Sequence, residues 1–236
     1  FIWWVCLLFI LSTIPLVDLL HSGLPLTHDG QDHVARIANF YQSLSEENLI
    51  PRWAGNLNWG YGHPILMFLY PLPSYIASLF HFLGFSFVDS TKLVFGVGYI
   101  ASIFAMYLWA RSEWGKTAGF VAAVLYGFAP YRFVDLYVRG AIGEHVAFVF
   151  LPLILWSLKR KKILIGALSV AGLMLSHNAV SLMFAPVIVL YALYLKRDLV
   201  KSSFTIVLGL LLSAFFWVPA LFEGKYTLRD IVTNED

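Results

Sequence analysis

The feature that most constrains this chain is a series of long apolar runs that recurs from one end of the sequence to the other. A helix needs about 20 mostly apolar residues to cross a bilayer. Runs near that length occupy residues 1–20, 63–85, 93–110, 118–130, 141–158, 163–175, 179–195 and 204–222. The pattern predicts an all-α fold, a polytopic bundle of transmembrane helices.

The composition agrees with this fold class and excludes others. Hydrophobic residues make up 59% of the chain and charged residues 13%, whereas soluble domains carry about 25% charged residues. A formal net charge of +2, with no basic run interleaved with aromatic residues, excludes nucleic acid as a partner. Cys6 is the only cysteine, so neither a disulfide framework nor a cysteine-based zinc site can form within one chain.

Two polar stretches, residues 21–62 and 131–144, interrupt the apolar runs. We interpret residues 1–236 as a single transmembrane domain with these stretches as two extracytoplasmic loops. The chain opens with Phe1 rather than Met and ends in the polar stretch 233–236. We therefore expect it to be the N-terminal part of a longer protein.

The basic residues predict on which side of the membrane the loops lie. Basic groups at residues 159–162 and 196–201 are one helical hairpin apart, and short basic loops stay in the cytoplasm. Both polar loops then face outside if residues 63–85 do not cross. Pro71 and Pro73 interrupt that segment, which favours a re-entrant or interfacial course. The expectation is a multi-pass plasma-membrane protein with its polar loops on the extracytoplasmic side.

The first loop places carboxylates and imidazoles together just after the first apolar run. Asp29 and Asp32 stand beside His28 and His33. Asp32 can pair with Arg36, four residues on, which would keep it ionised as a general base requires. Asp32 and Asp29 are therefore candidate catalytic acids, and His33 and Arg36 are candidates for substrate binding. Asp29 and Asp32 also fit ordinary helix N-terminal carboxylates, and the histidines also fit surface residues.

A helix follows these acids. Val34, Ile37, Tyr41 and Leu44 repeat at helical spacing and form one apolar stripe, with Phe40 beside it. The opposite stripe carries Asp32, Arg36, Asn39 and Ser43. This pattern predicts an amphipathic helix in the first loop that lies on the membrane surface, apolar side down.

The end of the first loop is rich in aromatic residues, glycine and proline. Trp59 and Tyr61 lie within the segment 58–64. Aromatic rings can stack on the apolar face of a sugar, which makes both residues candidates for substrate binding. They fit an interfacial aromatic belt equally well.

The second loop carries two arginines and an acid. Arg132 and Arg139 lie in a loop expected outside, whereas basic residues usually lie in cytoplasmic loops. A guanidinium can donate several hydrogen bonds to phosphate oxygens. Glu144 stands at the entry to an apolar helix, where an ionisable group is a functional candidate. A local ion pair that only closes the hairpin would explain the same residues. His177, in a short turn expected on the same face, is a further candidate for substrate binding.

The arrangement of these loops resembles the GT-C superfamily of membrane glycosyltransferases. That superfamily has an acid just after its first transmembrane helix, then surface helices, then a second outer loop with an acid and arginine. Asp32 (or Asp29) matches the first position, and residues 131–140 with Glu144 resemble the second. The resemblance implies a GT-C-like bundle and a polyprenyl-phosphate-linked sugar donor.

Three short motifs resemble more closely a group of bacterial membrane proteins labelled "6-pyruvoyl-tetrahydropterin synthase-related". They are residues 60–64, 70–73 and 137–140. The label does not imply pterin chemistry, because the soluble synthase resembles nothing in a chain of membrane helices and no zinc-binding set of histidines is evident.

The reaction expected from this resemblance is transfer of a sugar from the lipid-linked donor to an acceptor hydroxyl at the extracytoplasmic face. Asp32 would serve as base, and Asp29 and Glu144 could act in catalysis or hold a Mg²⁺ or Mn²⁺ ion. The partners are the lipid bilayer and the lipid-linked donor. The alternatives are a transporter or flippase for a lipid-linked or anionic solute, and a non-catalytic membrane assembly subunit. Transporters favour paired broken helices, and only residues 63–85 show a clear break, which favours an enzyme.

Overall fold

The computed structural model describes residues 2–195 and 198–227. Regular structure in these ranges is helical, apart from one isolated bridge between Ala54 and His63. The α-helices are α1 Ile2–Thr13, α2 Gly30–Ser45, α3 Ile65–Phe68, α4 Leu72–Phe82, α5 Phe87–Trp114, α6 Lys116–Gly127, α7 Pro130–Phe133, α8 Ile142–Arg160, α9 Ile163–Ser176, α10 Asn178–Tyr194, α11 Leu199–Leu212 and α12 Ala214–Glu223. A 3₁₀ segment, Ile14–Leu20, continues α1, and a π-helical segment, Val134–Arg139, continues α7.

The helices confirm the predicted membrane bundle. Three stretches are long and apolar enough to cross a membrane, namely Trp3–Leu20, Phe87–Trp114 and Ile142–Arg160. Two further pairs of helices, Lys116–Gly127 with Pro130–Arg139 and Leu199–Leu212 with Ala214–Tyr226, pass the same test together but are bent by 44° and 66°. The sequence had indicated only one broken segment, and these two bent pairs were not expected. Their breaks, at residues 128–129 and 213, lie inside apolar sequence where no charged residue marks them.

Helix α5 forms the centre of the bundle and packs against α6 and α8. The buried side chains at this junction include Tyr99, Ile103, Ile142 and Val146. A second apolar cluster joins α8, α9 and α10. Helices α9 and α11 approach closely at Gly209, where a methyl group would stand 2.7 Å from the carbonyl oxygen of Ala167. Small residues permit such close packing of membrane helices.

The segment 63–85 does not form one long helix. It divides into α3 and α4, and the chain leaves the helical conformation at Leu69 before Pro71. Helix α4 has 11 residues, and at about 1.5 Å per residue it is much shorter than the roughly 30 Å hydrocarbon core. The structure thus agrees with the expected break at the two prolines.

The amphipathic helix of the first loop is confirmed as α2, but its apolar face has a different partner from the one expected. That face packs against α4 and α5. Phe40 contacts the ring of Tyr75 edge-on, with centroids 4.7 Å apart, and Tyr41 contacts His81 at 4.5 Å. The short α4 offers an apolar protein surface there, so the stripe is covered by protein rather than lying directly on lipid.

Candidate functional site

Two backbone hydrogen bonds join the beginning of α2 to the second polar loop. The amide of His28 donates to the carbonyl oxygen of Val138, and the amide of Asp29 donates to that of Arg139, both at 2.9 Å. The two polar loops therefore meet at one end of the bundle. This is the proximity that the sequence interpretation required, while the side of the membrane stays a prediction.

Gly140 makes the junction of the loops possible. Its φ of +66° lies in the left-handed region, which glycine adopts without a steric penalty. A Cβ at this position would overlap Thr27 Oγ1 and stand 2.8 Å from Thr27 Cβ. The loops can approach this closely only because residue 140 lacks a side chain.

The carboxylate of Asp29 does not cap α2, although Asp29 occupies the N-cap position. The amide of Gly30 donates instead to Thr27 Oγ1 at 3.1 Å. The Asp29 carboxylate lies 2.6 Å from Nδ1 of His28, which is largely exposed. The capping explanation therefore does not account for the side chain of Asp29.

Asp32 and Arg36 form the expected ion pair. Arg36 donates to Asp32 Oδ2 at 3.2 Å, with about two thirds of the Asp32 side chain exposed to solvent. A substrate hydroxyl approaching from outside therefore has access to this carboxylate.

His33 is buried beneath α2 rather than exposed at the loop. Its side chain points into the protein, and its Nε2 has no hydrogen-bond partner among the described residues. Burial and the charge of Arg36 together lower the pKa of His33 to about 4, against the opposing effect of Asp29 and Asp32. The imidazole is therefore neutral at pH 7.

Arg139, Glu144 and Tyr131 form a closed hydrogen-bonded triangle in the second loop. Arg139 Nη1 donates to Glu144 Oε2 and to the hydroxyl oxygen of Tyr131, both at 2.5 Å. The Tyr131 hydroxyl donates to Glu144 Oε1 at 2.6 Å. Sequence reasoning had not singled out Tyr131, because tyrosines are common at membrane interfaces and nothing in its spacing marks a role.

Arg132 does not join this triangle. Its side chain is 2% exposed, and its guanidinium lies over the rings of Phe148 at 4.4 Å and Tyr99 at 4.9 Å. Arg132 Nη2 donates to Ser102 Oγ at 2.9 Å. The structure thus separates the two arginines of the second loop, with Arg139 at the surface and Arg132 within the bundle.

Asp135 and His145 form a buried pair that sequence reasoning missed. Both side chains are fully buried, with Asp135 Oδ2 3.1 Å from His145 Nδ1. His145 Nε2 lies 3.1 Å from the carbonyl oxygen of Phe95, which can only accept. If Nε2 donates to that carbonyl oxygen, Nδ1 of a neutral imidazole carries no proton. The contact between Nδ1 and the Asp135 carboxylate then needs one further proton, on either group. The available signal was two ionisable residues at the ends of apolar helical sequence.

Tyr70 and His177 connect the second loop to the α9–α10 turn. Their rings stack with centroids 5.0 Å apart, and His177 Nδ1 accepts from the amide of Val180 at 3.2 Å. Burial raises the pKa of Tyr70 to about 12. The charges of Asp29 and Glu144 act in the same direction, and the charge of Arg36 opposes them. The ring of Tyr70 also lies against Gly143 in the second loop, where an added Cβ would overlap Tyr70 Cε2.

Trp59 and Tyr61 lie on a loop closed by the bridge between Ala54 and His63. Their side chains are 93% and 83% exposed. In the part of the chain that the structure describes, no hydrogen bond or ring contact connects either residue to Asp32 or Arg139. The structure leaves both rings free on the surface, so their role in substrate binding stays a prediction.

The side chains of Asp29 and Glu144, the expected metal ligands, both have partners within the protein. Among the described residues, no three His, Cys, Asp or Glu side chains are placed to hold one. Asp29 is engaged by His28, and both oxygens of Glu144 are engaged by Arg139 and Tyr131. The magnesium or manganese site at Asp29 and Glu144 stays a prediction.

Comparison with known proteins places the second loop within a family match and the first loop outside it. Residues 66–233 match the model of the "6-pyruvoyl-tetrahydropterin synthase related domain; membrane protein". An "Uncharacterized protein" of Lactococcus lactis subsp. cremoris (strain MG1363) is 28% identical over 234 residues, which cover 89% of this chain and 38% of that relative. The chain thus spans well under half the length of the curated relative it matches.

Proposed function

This chain belongs to the 6-pyruvoyl-tetrahydropterin synthase related family of membrane proteins, and from this premise we propose that it is a GT-C-type glycosyltransferase. It moves a sugar from a polyprenyl-phosphate-linked donor to an acceptor hydroxyl at the extracytoplasmic face. The observation that carries the proposal is the pair of backbone hydrogen bonds joining His28 and Asp29 to Val138 and Arg139. These bonds bring an exposed carboxylate and two arginines to one end of the bundle.

Arg36 and Arg139 are the groups that would receive the donor phosphate. Each guanidinium is already oriented by a carboxylate, Asp32 at 3.2 Å and Glu144 at 2.5 Å. Arginine presents several donors in one plane, so it can keep its carboxylate and still bind a phosphate oxygen. Two such groups would stabilise the negative charge that develops on the leaving phosphate. Arg132 takes no part, because it is buried among aromatic rings.

Asp32 is the general base of the proposed reaction. The acceptor oxygen attacks the anomeric carbon of the donor, and the bond from that carbon to the phosphate oxygen breaks. The bonding electrons leave with the polyprenyl phosphate, while the hydroxyl proton passes to the Asp32 carboxylate. The exposure of that side chain and its ion pair with Arg36 support this role.

The experiment that tests the proposal measures release of polyprenyl phosphate from a glucosyl- or mannosyl-polyprenyl phosphate by the purified full chain in nanodiscs, with maltotriose supplied as the hydroxyl acceptor. We expect Asp32→Asn to reduce the rate by about 10²–10⁴-fold, the range typical of general-base catalysis. Glu47→Gln, an exposed acid just beyond the same helix, is the matched control and should keep the full rate. Full transfer by Asp32→Asn would reject the assignment of the base.

Transport of a lipid-linked or anionic solute is the second candidate, and two observations favour it. Arg132, Asp135 and His145 are buried within the bundle, and two bent helix pairs occur where one broken segment had been expected. Buried ionisable groups and broken helices are typical of transporters. Movement of the same lipid between leaflets without release of polyprenyl phosphate would favour this candidate over sugar transfer.

A further inference from the structure

A groove runs beside α2, with amide side chains at its middle and a mostly apolar cleft at one end. It consists of two adjoining clefts of about 290 and 440 Å³ that share Asn39 and Gln42. The first cleft also contacts Asn48 and Trp53, and the second contacts Asn56. We call this feature the α2 groove. It is separate from the arginine and carboxylate side chains described above.

The amides of the α2 groove are held in fixed orientations by one another. The backbone amide of Asn56 donates to Asn39 Oδ1 at 2.8 Å, and Asn56 Nδ2 donates to Gln42 Oε1 at 2.5 Å. Gln42 Nε2 in turn donates to Glu46 Oε1 at 3.2 Å. Each of these side chains keeps further donor or acceptor capacity. A ligand would therefore meet an array of polar groups that needs little reorganisation, which lowers the entropic cost of binding.

Aromatic rings border the groove at both ends. Trp53 is about half exposed, and its indole lies against Gly62, where a Cβ would stand 2.8 Å from Trp53 Cζ2. At the other end, His81 stacks on Phe87 with centroids 3.7 Å apart and contacts Tyr41. A groove with fixed amides in the middle and rings at its ends offers both hydrogen bonds and flat apolar surfaces.

The charges of the groove exclude an anionic ligand. None of the described residues that line the two clefts is a lysine or an arginine, and Glu46 contributes a negative charge. An apolar chain is also disfavoured, because it would cover the remaining donors and acceptors of the amides without replacing their hydrogen bonds to water. A neutral ligand with many hydroxyl groups satisfies both conditions. Oligosaccharides are the class with this chemistry.

The position of the groove relates it to the proposed base. Asn39 follows Arg36 by three residues on α2, a rise of about 4.5 Å, and Gln42 lies about 15 Å along the axis from Asp32. A ligand of two or three sugar units that lies in the groove can therefore extend towards Asp32.

We infer that the α2 groove binds a neutral oligosaccharide and that this glycan is the acceptor whose hydroxyl is presented to Asp32. The acceptor role rests on the proposed function, whereas binding of the glycan to the groove does not. Trp53 provides the stacking surface, and Gln42 and Asn56 provide hydrogen bonds to ring hydroxyls. The acceptor is therefore a neutral glycan, a class of ligand different from the phosphate that Arg36 and Arg139 are proposed to bind.

The test measures binding of free oligosaccharides to the full chain in nanodiscs by isothermal titration calorimetry, without any lipid-linked donor. The probes are maltotriose, cellotriose and triacetylchitotriose as neutral trisaccharides and trigalacturonic acid as the anionic one. We expect at least one neutral trisaccharide to bind with a dissociation constant in the micromolar to millimolar range, and the anionic one to bind at least tenfold more weakly. Absence of binding by all three neutral probes, or tighter binding of the anionic one, would overturn the inference.

Substitutions locate the binding. We expect Trp53→Ala and Gln42→Ala each to weaken binding at least tenfold, and Trp53→Phe to retain most of it because a ring remains. Trp3→Ala removes a tryptophan that is 86% exposed on α1 and is the matched control, with unchanged binding expected. If Trp53→Ala and Gln42→Ala bind as tightly as the unsubstituted chain, the groove is not the site. The melting temperature of each variant distinguishes lost binding from lost folding.

The outcomes separate this inference from the proposed function. Groove-dependent binding without any release of polyprenyl phosphate would support the glycan site and reject sugar transfer. Transfer that proceeds at the full rate in Trp53→Ala and Gln42→Ala would support the enzyme and reject the groove as the acceptor site.

Discussion

The backbone amide of Asp29 donates a hydrogen bond of 2.9 Å to the carbonyl oxygen of Arg139. This bond connects the N-cap residue of α2 to the residue that ends the π-helical segment. It holds the carboxylates of the first loop beside the arginine and glutamate of the second. The candidate site therefore depends on an interaction between backbones, and side-chain substitutions in either loop can be tested separately from the junction itself.

Gly140→Ala tests the junction of the loops. We expect it to destabilise the protein by roughly 2–4 kcal/mol, because a left-handed φ disfavours alanine and the new Cβ overlaps Thr27. Gly23→Ala is the control, since Gly23 also has a positive φ of +83° but no atom within 4 Å of its Cβ position. We expect it to cost only about 1 kcal/mol. Equal losses of unfolding free energy in the two variants would contradict the close contact.

A double-mutant cycle tests the pair formed by Arg139 and Glu144. We expect the coupling free energy between Arg139→Ala and Glu144→Ala to be about 1–2 kcal/mol, because the Glu144 side chain is mostly buried. The control is the exposed pair of Lys201 and Asp198 at 2.8 Å, for which we expect below about 0.5 kcal/mol. Unfolding free energies in detergent give both values. A coupling no larger than that of the control pair would count against an oriented Arg139.

The buried side chain of His33 leads us to predict that the free energy of unfolding falls in mild acid. Burial lowers its pKa to about 4, below the value of about 6.5 in an unfolded chain. The unfolded state therefore binds a proton more readily, and stability falls as pH is lowered from about 6.5 towards 4. We expect the loss at pH 5 to be roughly 2 kcal/mol smaller in His33→Phe than in the unsubstituted chain. Parallel curves of unfolding free energy against pH for both proteins would contradict the buried neutral imidazole.

Cysteine labelling tests whether the loops share one side of the membrane. In a Cys6→Ser background, Asn48→Cys and Val138→Cys should react with an impermeant maleimide from the same side, and Lys162→Cys only from the other. Val138 is 62% exposed, whereas its neighbour Leu136 is 2% exposed and would not react. Labelling of residues 48 and 138 from opposite sides would contradict the junction of the loops and, with it, the proposed site.

The interactions that were predictable from the sequence are those between near neighbours in the chain. Helical periodicity gave α2 and the pairing of Asp32 with Arg36, because residues four apart on a helix must face the same side. The prolines at 71 and 73 gave the break before α4, because proline removes a backbone donor. In each case the physical cause lies within a few residues of its effect.

The features that the sequence did not predict concern long-range contacts. Arg132 and Arg139 look alike in the sequence, but the rings of Tyr99 and Phe148 enclose only Arg132. The pairing of Asp135 with His145 depends on the π-helical segment and on the backbone of Phe95 in α5. Trp59 and Tyr61 are exposed, and their role in sugar binding stays a prediction; that Trp53 borders a groove with fixed amides could not be read from the sequence.

The sequence by itself determined that this protein is a bundle of membrane helices with two polar loops, because apolar runs of spanning length admit few other folds. Only the tertiary structure decided which polar side chains meet. The packing of α5 against α8 and the approach of Gly140 to Thr27 bring Asp29 beside Arg139. Such contacts depend on shape complementarity between distant segments, which no local pattern encodes.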